Sequence, residues 1–208
     1  MKTIVCFGDS NTFGTDPASP DRYPWGTRWT SLLQLELGDG YRVVEEGHPG
    51  RTTNLDDPIE PHRNGMTYLM PCLESHRPID LVTVMLGTND LKQRFARNAA
   101  DIAQAAALVA RTAATAPVGP DGARPTVLFI APPPVASLGI NDHAFTGAAQ
   151  KSRLFARHYA HQAERADLPF LDAGAVIRSS DVDGIHFDPD ELPKLAGAVL
   201  AKILEILA

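Results

Sequence analysis

Cysteine is nearly absent: 208 residues carry only Cys6 and Cys72, far apart in the chain. Two distant thiols predict neither a disulfide framework nor a zinc site. Cys6, inside an apolar run, reads as a small core residue. Lys and Arg form no cluster and the net charge is -6, so neither nucleic acid nor an anionic membrane is expected as a partner. No apolar run approaches the ~20 residues of a membrane helix. The first run stops at Asp9, too early for a signal peptide. These absences predict a soluble cytoplasmic protein. With 44% hydrophobic residues, the length suits one domain over 1–208 with a full core.

Apolar strand patterns are present over Thr3–Phe7, Tyr41–Glu45, Asp80–Leu86, Thr126–Ala131 and Pro169–Asp172. Helical patterns lie between and after them, at Arg28–Leu37, Met66–Ser75, Asn98–Thr115, Thr146–Ala166 and Pro189–Leu207. The third and fourth strands are continuous apolar runs, as expected where both faces are covered. The alternation predicts a three-layer, doubly wound α/β/α domain on a parallel five-stranded sheet. Three connections, Gly14–Gly26, Thr53–Gly65 and Pro132–Phe145, are long enough to build a site or a subunit contact.

Ligands of open α/β sheets bind beyond the carboxyl ends of the strands, so the residues placed there carry the functional argument. Ser10 follows the first strand within "GDSN". "EEGHPGRTT", with Gly47 and Gly50, follows the second, and "LGTND", with Asn89, follows the third. "DVDGIHFD", with Asp183 and His186, precedes the last helix. Each piece alone reads as turn or cap chemistry. Together they supply a hydroxyl nucleophile, a permissive turn, an amide donor and an acid–imidazole pair, the parts of nucleophilic acyl transfer. Asp183 and His186, three residues apart, can face each other across one turn. The carboxylate then orients the ring and leaves its other nitrogen for the serine proton.

Other polar residues receive lesser roles. His158 and His161 are spaced for a metal, but no third ligand is evident. His48 is placed to line the site, while His62, His76 and His143 read as surface loop residues. The pairs Glu45–Glu46 and Asp56–Asp57 are expected to be solvated or paired with Arg51 and Arg63. Trp25 and Trp29 can cover either the cleft or the core.

The four blocks "FGDSN", Gly50, "GTND" and "DGIH" resemble those of the SGNH (GDSL-like) hydrolases, a flavodoxin-like α/β fold. The resemblance implies Ser10 as nucleophile, with Asp183 and His186 completing the triad. It also implies an oxyanion hole made by the Ser10 and Gly50 amides and the Asn89 side chain. "EEG…RTTN…DDP", "NG…YL" and "MLGTND" are similar to the arylesterase and acyltransferase (perhydrolase) branch. That implies short-chain acyl esters as substrates, water or an alcohol as acceptor, no cofactor or metal, and a homo-oligomer. Asn11 stands where Leu is common and Glu45 where many members carry Asn. Thr15 stands where the acyltransferases carry Trp, which alters the wall of a small acyl pocket. Asp9, Asn11, Thr15, Trp25 and His48 are the candidate substrate-contacting residues. Two rival readings remain at this point. One is a flavodoxin-like phosphate or flavin module, which leaves Asp183 and His186 without a role. The other is a two-metal phosphoesterase using Asp9, Asn89 and His186.

Overall fold

The computed structural model describes residues 1–207 apart from Pro20 and Asp142. Five strands, β1 (Lys2–Gly8), β2 (Tyr41–Gly47), β3 (Leu81–Met85), β4 (Thr126–Ala131) and β5 (Phe170–Asp172), form one sheet. All pairings are parallel and the order is β2-β1-β3-β4-β5. The chain therefore reverses its direction of winding between β1 and β3, and a crevice opens there at the carboxyl edge.

The alternation along each strand decides which helices cover which face. Val5 and Phe7 of β1, Val82 and Val84 of β3, and Val127 and Phe129 of β4 point to one side. They pack against α3 (Gly65–His76), α4 (Ala99–Thr115) and α6 (Phe155–Ala166). Ile4 and Cys6, Leu81 and Met85, and Leu128 and Ile130 point to the other. There they meet α2 (Trp29–Leu37) and α7 (Leu192–Leu207). Strands buried on both faces carry apolar residues at consecutive positions, which is why β3 and β4 read as unbroken runs.

Two expectations need correction. Residues 10–13 form a short helix, α1 (Ser10–Phe13), rather than a plain turn. The pattern over Thr146–Ala166 predicts one helix, but it divides into α5 (Ala148–Ser152) and α6. No Pro or Gly breaks it. The Ser152 hydroxyl is buried, accepting from Val135 N–H and donating to the Ala149 carbonyl. The chain tightens there into a Leu154 N–H to Lys151 carbonyl bond, so a tertiary anchor overrides local propensity.

Candidate active site

Gly8 ends β1 because nothing larger fits: a Cβ there would lie 2.0 Å from Thr12 Oγ1 and 3.0 Å from the Met85 carbonyl. Asp9 then caps α1, its Oδ1 accepting from Asn11 N–H at 3.0 Å. The cap places Ser10 at the first position of the helix, where a backbone N–H has no intrahelical acceptor.

His186 reaches Ser10 from the far end of the chain. Its Nε2 lies 2.9 Å from Ser10 Oγ, and its Nδ1 hydrogen-bonds Asp183 Oδ2. Asp183 Oδ1 accepts from the Ile185 and His186 amides, each at 2.9 Å. Burial opposes ionisation of Asp183, but hydrogen bonds from the His186 ring and the Ile185 amide outweigh it and hold the carboxyl below its ordinary value. An ionised Asp183 can only accept, so the His186 proton sits on Nδ1 and Nε2 is left to accept from the serine. The segment is braced from outside: Asn141 Nδ2 donates to the Asp183 carbonyl at 3.2 Å, and Ala136 N–H to the Gly184 carbonyl at 2.8 Å. The long connection after β4 thus supports the acid–imidazole pair.

The second turn is tied to the end of β1. His48 N–H and Arg51 NH1 both donate to the Gly8 carbonyl, at 3.1 and 2.8 Å. Gly50 adopts φ +78° within it, a left-handed conformation that glycine accepts without strain. Asn89 opens the turn after β3, and its Nδ2 donates to the Arg51 carbonyl at 3.1 Å. An amide nitrogen carries two hydrogens, so one remains. Among the described residues neither the Ser10 nor the Gly50 N–H has a backbone acceptor. These donors are therefore not already committed.

Several side chains stand elsewhere than the sequence pattern suggests. Asp9 and Asn11 are both buried, and Asn11 Nδ2 donates to the Ile185 carbonyl. Asn11 thereby fastens α1 to the 183–186 turn, while Asp9 caps α1. Thr15 pairs with Arg22 in an isolated bridge. Trp29 is in the core, donating to the Asn11 carbonyl at 3.2 Å, while Trp25 is exposed. His48 contacts Arg63 NH1 and lines a cavity of about 490 Å³ with Glu46, Arg51 and Tyr68, none of them triad residues. Glu45 pairs with Arg22 and Arg28, and Asp57 with Arg94 and Lys92, not with Arg51 or Arg63. Asp56 accepts from Asn64. His76 ends α3 and hydrogen-bonds Glu46 at 2.7 Å rather than lying in a loop.

Two residues matter here in ways that their places in the "RTTN" and "GTND" stretches do not reveal. Arg51 spreads its guanidinium over Phe7 (4.2 Å) and bonds the Gly8 and Glu46 carbonyls. Asp90, fully buried, accepts from both the N–H and the hydroxyl of Thr53, joining the second turn to the third. Both work on segments distant in the chain, which no local pattern records.

The metal-based rival finds no open imidazole here: His186 Nδ1 is engaged by Asp183 and Nε2 by Ser10 Oγ.

The model of the GDSL-like lipase/acylhydrolase family matches residues 6–191. The native aryl esterase of M. smegmatis shares 40% identity, with 99% of each chain covered and a TM-score of 0.94. A carbohydrate acetylesterase from Sinorhizobium meliloti shares 37% identity over 99% of this chain and 100% of its own, at a TM-score of 0.94. A lipolytic G-D-S-L family protein from Veillonella parvula, at 16% identity, 99% and 98% coverage and TM-score 0.67, shares the fold. No curated protein matches the sequence. The chain belongs to the GDSL-like lipase/acylhydrolase family and is by class a carboxylic ester hydrolase.

Proposed function

We propose that this protein hydrolyses short-chain acyl esters through an acyl-Ser10 intermediate. The observation that carries the reading is the line from Asp183 through His186 to Ser10. Nε2 of His186 takes the Ser10 proton as Oγ attacks the ester carbonyl. The tetrahedral oxyanion is received by the Ser10 and Gly50 amides and the free Asn89 Nδ2–H. His186 then returns the proton to the departing alcohol. Water, activated by the same nitrogen, attacks the acyl-enzyme and frees the acid. One preorganised oxyanion donor is typically worth ~3 kcal/mol of barrier.

The same intermediate can pass its acyl group to an alcohol where the site restricts water. The similarity to an aryl esterase and a carbohydrate acetylesterase supports small aryl or acetyl esters as the substrate class. The proposal extends to a homo-oligomer, working in the cytoplasm as one catalytic domain, whose long rim loops pack against a neighbouring copy. The exposed Trp25 and Ile59 lie on these connections, and the exposed Val182 adjoins the 183–186 turn.

A fluorophosphonate probe should label Ser10 stoichiometrically, and Ser10→Ala should lose both labelling and p-nitrophenyl acetate turnover. Labelling at another serine in that variant would overturn the assignment. Light scattering should report more than one chain, and gas chromatography should find the new ester when a short primary alcohol is added. A strict monomer yielding only free acid would reduce the reading to a plain esterase.

A further inference from the structure

Outside the triad, three chemically different donor groups converge on one spot. Glu46 stands near the end of β2, the edge strand of the sheet. Cys72 and His76 lie on α3 at a spacing of four, which places both on one helix face. One ligand atom from each lies within 4.8 Å of the other two, and among the described residues this is the one such trio of His, Cys, Asp or Glu. Ligands at 2.0–2.3 Å around a tetrahedral ion are about 3.3–3.8 Å apart. The trio lies within about 1 Å of that scale. Glu46 Oε1 and His76 Nε2, now 2.7 Å apart and hydrogen-bonded, need to open by well under ~1 Å to admit an ion.

The Glu46 carboxylate lacks the direct cation partner that its neighbour has, although the Arg51 guanidinium lies close enough to act on it through space. Its neighbour Glu45 is paired with two arginines, Arg22 and Arg28. Among the described residues Glu46 has no lysine or arginine within ion-pair distance, and its one ion-pair partner is His76. Arg51 bonds its backbone carbonyl instead. Glu46 also lines the 490 Å³ cavity with Gly47, His48, Arg51 and Tyr68, which supplies a route in and room for a water.

We propose that Glu46, Cys72 and His76 bind a divalent cation of the zinc class, with a water from the cavity as fourth ligand. Carboxylate, thiolate and imidazole together suit a borderline-soft ion better than magnesium or calcium, which prefer oxygen alone. On binding, the Glu46–His76 hydrogen bond breaks, the proton that Nε2 shared with the carboxylate passes through solvent to Nδ1, and the Nε2 lone pair is left to the ion. The Cys72 thiol loses one proton to solvent and becomes a thiolate ligand. In the metal-free protein that thiol is held up at about 12, first by burial and then by the Glu46 carboxylate, so it is inert as a nucleophile. A bound cation reverses the balance and deprotonates it. The ion would clamp α3 to the strand that feeds the Gly50 turn, without touching Ser10.

Chelator-treated, reduced protein titrated with Co²⁺ should take up one equivalent. The spectrum should show tetrahedral d–d bands in the visible and a thiolate charge-transfer band in the near ultraviolet, all bleached by Zn²⁺. Cys72→Ser should lose the charge-transfer band although Cys6 remains, and His76→Gln should weaken binding at least tenfold. Ester turnover by both variants checks that they fold. Absence of stoichiometric binding by the folded wild type, or a charge-transfer band that survives in Cys72→Ser, would overturn the site. The wild-type titration decides the question even if a variant fails to fold.

Discussion

Asp183 is more constrained than an orienting carboxylate needs to be. One oxygen faces the His186 ring and the other accepts two backbone amides. In Asp183→Asn the side-chain oxygen should keep the two amides, which turns the NH₂ toward Nδ1. The ring must then accept there and carry its proton on Nε2, where it can no longer take one from Ser10. We expect kcat to fall by roughly 10⁴ while the fold is retained. A variant keeping a tenth of wild-type kcat would remove Asp183 from its assigned role. Asn89→Ala should lower kcat by roughly 10²–10³ with little change in KM, the pattern of a contact made in the transition state. It also leaves the Arg51 carbonyl without its donor, at a cost of about 1–3 kcal/mol in stability. The melting temperature separates the two losses, and an unaltered kcat would return Asn89 to a purely structural role.

At the scale of elements, the site depends on how closely α1 is drawn onto the end of β1. Gly8→Ala should destabilise the protein by about 2–4 kcal/mol, because its Cβ meets Thr12 and a β3 carbonyl at once. Moving α1 moves Ser10, so kcat should drop with the melting temperature. A Gly8→Ala variant of wild-type stability and activity would contradict the packing described. The short α1 and the break between α5 and α6 are not legible in the sequence. Four residues of helix have no period to detect. The break rests on Ser152 meeting a backbone amide 17 residues away. The five strands are legible from their apolar runs, and their ends differ from those runs by only a residue or two.

At the scale of the whole molecule, pH acts through carboxyls displaced in opposite directions. Asp9 and Asp90 are pushed up to about 6 from 3.8, chiefly by burial. Their protonated forms favour the folded state. That contribution is complete below the unfolded value near ~4 and is lost as pH rises through about 6. Asp183, Asp57 and Glu60 are displaced the other way. Burial opposes their ionisation, but hydrogen bonds from His186, from Arg94 and from Lys92 respectively prevail. Their stabilisation is present above the ordinary carboxylate range and fades as pH falls through their depressed values. The melting temperature should therefore fall from pH 5 to pH 7. Asp9→Asn should flatten that fall, because Asn still caps α1 through its oxygen and carries no charge. A wild-type melting temperature that rises steadily from pH 5 to pH 8 would refute this account.

What the sequence by itself determined was whatever is local or periodic. The strand–helix alternation follows from apolar spacing. The placement of Ser10 and Asn89 at one rim follows from counting residues past their strands, and that of Asp183 and His186 from their position just before the last helix. The facing of Asp183 and His186 needs only a turn of three. The tertiary structure alone decided which polar groups meet across distant segments. Asn11 turned inward because α1 packs on the 183–186 turn. Asp57 found Arg94 and Lys92, and the Glu46 carboxylate was left to pair with His76 beside Cys72. These choices depend on the angles at which helices cross the sheet. A long charged side chain reaches several partners, and only the packed core settles which one lies within hydrogen-bond distance.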